Sequence, residues 1–440
     1  MTKQYTDLNA FKKEILDPVS SSVCAAKWYE TTMWLYMGQT ASCHHNKFHS
    51  IDLDPTDLSS LHNTEQKKQE RINMLAGKRD NGCNYCWNTE DNNDISDRIK
   101  KSINRYNDTP TKVIASDSPL SVIPIMIEVA FSRMCNLACA YCSPSFSSEW
   151  AKDIRENGAY NLKNSPSFNH TMDNEIVGED NKYVDAFLKW WPDISKEVKY
   201  LRFTGGEPLL HTNFWNFLDI INRDGYDGTF MVNTNLIQTD RYINIFIERT
   251  KNIERLEVHT SCESNMQHAE YTRDGFDGEV WLRNVHTLLC SAPQLKLTVT
   301  TAINNLSVWS FHEYIELIAK LKCEYGAERI QLNTNRVYNP NFMQIQLIPI
   351  TLRKEITETI LHNIHHPELS QDETDQIISF TEFLNTSEFD SYVSRESAER
   401  ELVTFLEEFD RRRNKDYTLV LDKRFVDWID TLRTIGIKMI

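Results

Sequence analysis

Between Ser121 and Arg336, short apolar segments alternate with longer amphipathic ones. The strand candidates are IPIMIEVAF, YLRFTG, GTFMVNTN, RLEVHTS, LKLTVTTAI and RIQLNTN, and the helix candidates between them are DAFLKWW, FWNFLDIINR, DRYINIFIER, WLRNVHTLL and FHEYIELIAKL. Strands that alternate with helices in this way form repeated βα units around a parallel sheet. Because six strands are fewer than the eight of a closed barrel, the pattern predicts an α/β fold with a partial (β/α)6 TIM-like barrel.

The ends of the first three predicted strands carry unusual residues. The first strand is followed by CNLACAYC, which contains Cys135, Cys139 and Cys142, the second by TGGEP and the third by Asn233-Thr234-Asn235. Three thiols cannot all pair in disulfides, and their spacing suits a metal or a cluster better than a bridge. In barrels of this kind the chemistry collects at the carboxyl ends of the strands, so these segments predict one functional site.

Composition narrows the setting of this site. The chain has 440 residues, 40% of them apolar, ten cysteines and a net charge of −15. No run approaches the ~20 apolar residues of a membrane span, and the N-terminal residues lack a signal peptide's apolar core. We therefore expect a cytoplasmic protein without membrane contact, whose cysteines act as ligands or catalytic thiols. Such an acidic chain repels phosphate backbones, so we expect no nucleic-acid partner.

The C-x3-C-x2-C loop, with Tyr141 before its last cysteine, and the later Gly-Gly-Glu-Pro motif resemble the radical S-adenosylmethionine superfamily over about half of the chain. In that family three thiolates hold a 4Fe-4S cluster and leave one iron open, and S-adenosylmethionine chelates this iron. The resemblance implies an enzyme that cleaves S-adenosylmethionine to a 5'-deoxyadenosyl radical, which removes hydrogen from a substrate. An electron donor such as flavodoxin or ferredoxin is implied as a partner.

The resemblance also implies roles for individual residues. Tyr141 is expected near the adenine, and Glu207 is expected to orient the Gly-Gly-Glu-Pro segment. Glycines at 205 and 206 would let the backbone approach the amino end of the ligand closely. Arg273 is expected against the methionine carboxylate, with a surface ion pair as the alternative. The full set of residues expected to bind the cofactor is Tyr141, Gly205, Gly206, Glu207, Asn235, Ser261, Glu263 and Arg273.

A second cysteine pattern precedes the barrel. Cys24, Gly38 and Cys43 form C-x13-G-x4-C, and Cys83 with Cys86 forms C-x2-C. The arrangement resembles the twitch domain, the shorter relative of the SPASM domain, which holds an auxiliary 4Fe-4S cluster. The segment AAKWYETTMWLYMGQTASC predicts two strands joined by a glycine turn. Most relatives carry this module after the barrel, and a structural zinc ion on the same four cysteines is the alternative.

Three domains follow from these patterns: a twitch-like auxiliary iron-sulfur domain over 1–120, the radical barrel over 121–345 and a helical extension over 346–440. The polar insertion at 143–182 predicts either a lid or a decoration. The run Arg411-Arg412-Arg413 is expected at a solvated helix end. Cys290 and Cys323 are expected to be small buried hydrophobic residues, whereas Cys262 follows a strand and could line the site.

Several polar groups near the N-terminal cysteines allow two interpretations. His44, His45 and His49 either contact a substrate or the site, or are solvated loop histidines. The same alternatives apply to the charged residues after Cys86, which either face an active site or form a hydrated surface. These charged residues are Glu90, Asp91, Asp97 and Arg98.

The substrate remains open between two classes. In the resembling subgroup, substrates are peptide side chains or small sugars and aminocyclitols. The first hundred residues are taken up by the cluster module, which slightly disfavours a leader-guided peptide without excluding a protein substrate. A non-enzymatic zinc or iron-sulfur scaffold is the alternative of a different class, but a scaffold would need neither the glycine motif nor the polar strand ends. No general base is assigned.

Overall fold

The structure is a computed structural model that describes residues 4–108, 114–115, 117–171, 181–389 and 391–437. Its strands are β1 (Glu30–Trp34), β2 (Gln39–Ala41), β3 (His49–Ser50), β4 (Met126–Ala130), β5 (Ala138–Cys139), β6 (Tyr200–Thr204), β7 (Thr229–Thr234), β8 (Leu256–Ser261), β9 (Arg273–Asp274), β10 (Leu295–Thr300) and β11 (Ile330–Asn333). Its α-helices are α1 (Leu8–Phe11), α2 (Ala26–Tyr29), α3 (Glu65–Leu75), α4 (Asn84–Asp91), α5 (Asp97–Asp108), α6 (Ser148–Asn157), α7 (Lys182–Ile194), α8 (Thr212–Asp224), α9 (Asp240–Thr250), α10 (Met266–Thr272), α11 (Gly278–Ser291), α12 (Phe311–Tyr325), α13 (Ile350–His362), α14 (Gln371–Thr386), α15 (Arg395–Arg413) and α16 (Lys423–Ile437). Within the described ranges, no helix has the length and apolar character needed to cross a membrane.

The first of two compact units comprises the described residues within Met1–Ser132, Asn174–Gly205 and Asn216–Met231. Its strands run in the order β6-β4-β1-β2-β3, with β6, β4 and β1 parallel and β2 and β3 antiparallel. Strand β4 pairs with both parallel neighbours from its first residue, Met126, which lies opposite Glu30 and Tyr200. Its alternate residues Ile127 and Val129 are fully buried, as expected for a strand covered by helices. The strand predicted near the N-terminus thus extends the sheet that begins the βα series.

The two strands and the glycine turn predicted near the N-terminus form, but the first strand begins later than the sequence segment does. Gly38 turns the chain with a φ of 62°, and β1 and β2 pair in antiparallel register around it. The residues before Glu30 form the short helix α2 instead of a strand. Alanines at 25 and 26 favour helix over strand, and this local preference decides the conformation there.

The second unit comprises the described residues within Arg133–Asp173, Gly206–Trp215 and Val232–Ile440. Its parallel strands run in the order β8-β10-β11, with Leu256 opposite Leu295 and Leu297 opposite Ile330. Strands β5 and β9, each two residues long, pair with each other in a separate antiparallel ladder. Helices α13 to α16 complete this unit, where the sequence predicts a helical extension.

All six predicted strands of the βα series form, as β4, β6, β7, β8, β10 and β11. The five helices predicted between them also form, as α7, α8, α9, α11 and α12. The α/β class with a mostly parallel sheet is therefore confirmed. The closure of these strands into a partial barrel and the three domain boundaries stay predictions.

Two cysteines expected in the core are exposed, which corrects the prediction for them. Cys290 and Cys323 both face solvent. On α11 the buried stripe includes Trp281, Val285 and Leu288, and position 290 is off this stripe. On α12 the buried stripe likewise passes through Ile318 and Leu321 and does not include Cys323.

The described part of the polar insertion at 143–182 includes a segment that packs against the C-terminal helices. Helix α6 lies in this insertion, and its buried Trp150 packs against Phe405 and Phe409 of α15 with ring centroids 6.2 Å apart in each case. Residues 172–180 of the insertion lie outside the described residues. Residues 143–171 belong to the second unit and contribute to its packed interior, so this part is more than a decoration on the surface.

Candidate functional site

The three clustered cysteines lie on the loop between β4 and α6, and backbone contacts hold this loop in shape. Cys139 is buried, and Cys135 and Cys142 are half-buried. The Ser148 hydroxyl accepts a hydrogen bond from the Cys135 amide at 3.0 Å and donates one to the Cys135 carbonyl at 3.1 Å. Ser147 caps α6 and donates to the Leu137 carbonyl at 2.6 Å. The start of α6 thus fixes the loop that carries the thiols.

A second support comes from the β5–β9 ladder. Cys139 lies opposite Arg273 in this ladder, and the Ala140 amide donates to the Thr272 carbonyl at 2.7 Å. The ladder brings Arg273 beside the cysteine loop from more than 130 residues along the chain. Neither two-residue strand has an apolar alternation that the sequence could reveal.

The two glycines of the Gly-Gly-Glu-Pro motif lie against backbone atoms. Gly205 has a φ of 119°, and a Cβ atom there would overlap the Ser132 carbonyl oxygen. A Cβ atom on Gly206 would overlap the carbonyl groups of Arg133 and Met134. The Glu207 amide donates to the Met134 carbonyl at 2.6 Å. Only glycine allows this close approach to the segment that leads into Cys135.

Glu207 connects this motif to the end of β7. Its buried carboxylate accepts hydrogen bonds from the Asn235 amide at 2.7 Å and from the Leu209 amide at 3.1 Å. Burial raises the pKa of Glu207 to about 7. With both carboxylate oxygens bonded to backbone amides, the side chain positions the loops around it.

Asn235 and a residue that sequence reasoning missed form a polar bridge beside Cys135. The Asn235 side chain donates to the Asn136 side-chain oxygen at 2.7 Å, and its own oxygen accepts from the Ile237 amide at 2.8 Å. The Asn136 side chain in turn donates to the Ile237 carbonyl at 2.9 Å. The sequence could have indicated a role for Asn136, because this residue lies between the first two cysteines of the loop.

Arg273, Tyr141 and Glu263 form a buried network at this site. An Nη1 of Arg273 donates to the Tyr141 hydroxyl and lies 3.3 Å from Glu263 Oε2. Arg273 is 4% exposed and Glu263 is fully buried, so a surface ion pair is wrong for Arg273. Burial raises the pKa of Glu263. Ser261 ends β8 half-buried, two residues before Glu263.

Two polar atoms of this network have no hydrogen-bond partner among the described residues. They are Oε1 of Glu263 and Nε of Arg273. Buried polar atoms are almost always bonded, so these two call for an explanation such as a water, an ion or a ligand. The neighbouring Cys262 is also buried, as its place after a strand allowed.

The basic run at the end of α15 is buried in part, which corrects the expectation of a solvated end. Arg413 donates to Asp274 at 3.0 Å and to the Tyr160 hydroxyl at 2.7 Å. Arg412 donates to the Gly158 and Ala159 carbonyls at 2.9 and 3.0 Å, whereas Arg411 is 62% exposed. Asp274 directly follows Arg273, so α15 supports the β5–β9 ladder from behind.

In the first unit, the four N-terminal cysteines surround a cavity. Cys24, Cys83 and Cys86 are buried and Cys43 is half-buried. The lining of this cavity is completed by Ala26, Lys27, Ser42, His45, Met74, Asp97, Arg98 and Lys101. Burial, together with the nearby Cys43, raises the pKa of Cys24 to about 12. The structure thus brings all four cysteines of the predicted module to one place.

Three cations line this cavity, and each has a carboxylate partner. Lys27 pairs with Glu70 at 2.5 Å, Arg98 with Glu90 at 2.7 Å and Lys101 with Glu30 at 2.9 Å. Glu90 and Arg98 therefore do not belong to a hydrated surface, which was one of the two alternatives for them. Asp91 does lie on the surface, where it pairs with Arg79 at 2.8 Å. Positive groups around four thiols suit a site whose ligands must be thiolates.

The spacing of the thiols bears on which metal they suit. In the part of the chain that the structure describes, one group of three potential metal ligands has all its ligand atoms within 4.8 Å of one another. This group consists of histidine and aspartate and contains no cysteine. Tetrahedral zinc with bonds of about 2.3 Å places sulfurs about 3.8 Å apart. Neither cysteine set has three sulfurs within 4.8 Å of one another in the described part of the chain.

No protein-family model matches the sequence, and no curated protein matches it significantly. The fold is similar to that of anSMEcpe with bound AdoMet, at 13% identity and a TM-score of 0.33, over 53% of this chain and 60% of that one. SuiB of Streptococcus suis bound to S-adenosylmethionine gives 13% identity and a TM-score of 0.34, over 80% and 70%. TYW1 with a lysine-pyruvate adduct bound gives 15% identity and a TM-score of 0.25, over 51% of this chain and 70% of that one.

This chain therefore spans about 60% of the length of the anSMEcpe chain. Two of these three structures hold S-adenosylmethionine. All three TM-scores are below 0.5. The functional case consequently rests on the residues of the site.

Proposed function

We propose that this protein is a radical S-adenosylmethionine enzyme whose cluster is held by Cys135, Cys139 and Cys142. The observation that carries the proposal is the cysteine loop itself, supported from one side by a glycine pair that a Cβ atom would displace. On the other side the loop pairs with the buried Arg273. The network of this arginine contains one acceptor, Oε1 of Glu263, and one donor, Nε of Arg273, that have no hydrogen-bond partner among the described residues. A structural metal knot would require neither support.

The residues fit the expected group. Three thiolates bind three irons of a 4Fe-4S cluster and leave the fourth iron open. When bound, the cluster and S-adenosylmethionine supply the 5'-deoxyadenosyl radical that removes a hydrogen from the substrate. The methionine end of that ligand carries one ammonium and one carboxylate group. The unpartnered oxygen of Glu263 suits the ammonium, and the guanidinium of Arg273 suits the carboxylate.

The remaining residues around the loop position it and exclude water. Glu207 holds the glycine motif to the end of β7 through two amide hydrogen bonds. Asn235 holds the residue after Cys135, and Tyr141 orients the Arg273 guanidinium. Because these groups are mostly buried, a radical formed here would be shielded from solvent.

The cysteines of the first unit are proposed to hold an auxiliary 4Fe-4S cluster. The three cations at the cavity support a site that holds thiolates, and the C-x13-G-x4-C and C-x2-C pattern favours a cluster over a zinc ion. Four thiolates would complete the coordination of every iron, so this cluster would transfer electrons without binding substrate directly. The electrons would come from a donor such as flavodoxin or ferredoxin in the cytoplasm.

The substrate is proposed to be a small sugar or aminocyclitol, with hydrogen abstraction followed by oxidation or bond formation. A peptide or protein side chain is the second candidate. One of the solved structures contains a peptide together with AdoMet, anSMEcpe with the Kp18Cys peptide. Mass spectrometry of a cell extract incubated with the protein and S-adenosylmethionine would separate the two classes.

Formation of 5'-deoxyadenosine by anaerobically reconstituted, reduced protein tests the proposed reaction. Each of Cys135→Ala, Cys139→Ala and Cys142→Ala should abolish it, because each thiolate holds one iron of the cluster. Cys290→Ala is the matched control, since this thiol is exposed on α11. A triplet variant that forms 5'-deoxyadenosine at the parent rate would refute the assignment.

A further inference from the structure

Three side chains beside the four-cysteine cavity form a separate group of metal-binding type. His44 and His45 follow Cys43, and Asp97 is the first residue of α5. One ligand atom from each lies within 4.8 Å of the other two. The His45 Nε2 atom is 2.7 Å from Asp97 Oδ2, and the His44 Nε2 atom is 4.0 Å from the same oxygen. Both imidazoles therefore direct a nitrogen toward one carboxylate oxygen.

A hydrogen bond to Asp97 explains the position of only one of the two histidines. The His45–Asp97 distance is that of a hydrogen bond, whereas 4.0 Å is too long for a direct one. His45 is also held by the Tyr85 ring, which stacks on it with centroids 3.9 Å apart and planes 12° apart. The His44 ring lies 4.0 Å from that of His45. The three ligand groups are thus held together before any ion binds.

We propose that His44, His45 and Asp97 bind one divalent transition-metal ion of the zinc type, with a coordination position left open. Two imidazoles and one carboxylate are a ligand set of such ions, and three protein ligands leave a place for water or a substrate oxygen. The His44 side chain is 58% exposed, so an ion can reach the site from solvent. His45 and Asp97 also line the four-cysteine cavity, which places the ion at the edge of that cavity.

The site gives the first unit a Lewis acid in addition to its thiols. An ion with an open position polarises an oxygen bound to it, which suits hydroxyl- or carboxylate-bearing ligands. Lys101, one of the cations that line the cavity, is paired with Glu30 at 2.9 Å. This pairing reduces its repulsion of a second cation.

Cobalt titration of the iron-loaded protein tests the proposal, because the seven cysteines proposed as cluster ligands are then already occupied. The parent should bind about one Co²⁺ per chain beyond its iron, with a spectrum free of thiolate-to-cobalt charge transfer. His44→Ala and Asp97→Asn should each weaken binding by at least about 10- to 100-fold, because a direct ligand contributes more than the outer-shell groups whose loss costs that much. His49→Ala is the matched control, since His49 lies in the same segment but bonds to Thr64 at 2.8 Å.

Unaltered iron content and circular dichroism of each variant show that the fold is intact. Three results would overturn the proposal: no cobalt beyond the iron, equal binding by parent and His44→Ala, or a thiolate charge-transfer band. The iron count distinguishes this inference from the proposed auxiliary cluster. About four irons with cobalt still bound at His44 would refute the cluster and leave the histidine site standing.

Discussion

At the scale of single residues, Gly206 shows how backbone crowding can govern a cofactor site. A Cβ atom there would overlap the carbonyls of Arg133 and Met134, which lead into Cys135. Gly206→Ala should therefore displace the cysteine loop at a cost of about 1–3 kcal/mol. We expect both the iron retained after reconstitution and the affinity for S-adenosylmethionine to fall, as measured by iron analysis and equilibrium binding.

Gly225→Ala is the control for this change. Gly225 has a φ of 78°, but a Cβ atom there meets nothing within 4 Å. This variant should lose about 1 kcal/mol of stability through backbone strain and keep its iron. If Gly206→Ala also keeps parental iron and affinity, the glycine pair is an ordinary turn.

Single residues also show where the sequence pattern was informative and where it failed. The cysteines and the glycine motif were recognisable because their chemistry depends on spacing along the chain. The burial of Arg412 and Arg413 was not recognisable, because their partners Gly158 and Asp274 lie more than 130 residues away. Cys290 and Cys323 were placed in the core because a helical stripe was extended one position too far.

At the scale of elements, long periodic segments were predictable and short ones were not. The six strands of the βα series form where their apolar runs predict them. Strands β5 and β9 have two residues each, which is too short for any periodicity, yet they hold Arg273 beside Cys139. The parallel pairing of β1 with β4 was also hidden, because register between distant strands is a tertiary property.

Helix α15 is expected to influence the site through Arg413. This side chain is 7% exposed and donates to Asp274 and Tyr160. Arg413→Met retains an apolar stem against Phe409 but removes these bonds, at a cost of about 1–3 kcal/mol. We expect the affinity for S-adenosylmethionine to fall several-fold in equilibrium binding while the helix content is retained.

Arg411→Met is the matched control for this prediction. Arg411 lies on the same helix, is 62% exposed and pairs with Glu408. Surface pairs of this kind contribute about 0–1 kcal/mol, so binding should be unchanged. Equal affinities of the two variants would show that α15 packs against the insertion without affecting the ligand site.

At the scale of the whole molecule, each compact unit contains one set of cysteines. The first unit holds the four N-terminal cysteines and the second holds the triplet. With both sets filled, the protein should contain about eight irons, and Cys83→Ala combined with Cys86→Ala should leave about four. The double variant should still form 5'-deoxyadenosine, because that reaction belongs to the triplet. It should fail to complete turnover of the true substrate, because the electron path through the first unit is lost.

Iron analysis, 5'-deoxyadenosine formation and circular dichroism measure these effects together. Loss of both activities with a collapsed dichroism spectrum would mean that the N-terminal site is structural, and a parent protein with about four irons and one zinc would assign that site to zinc.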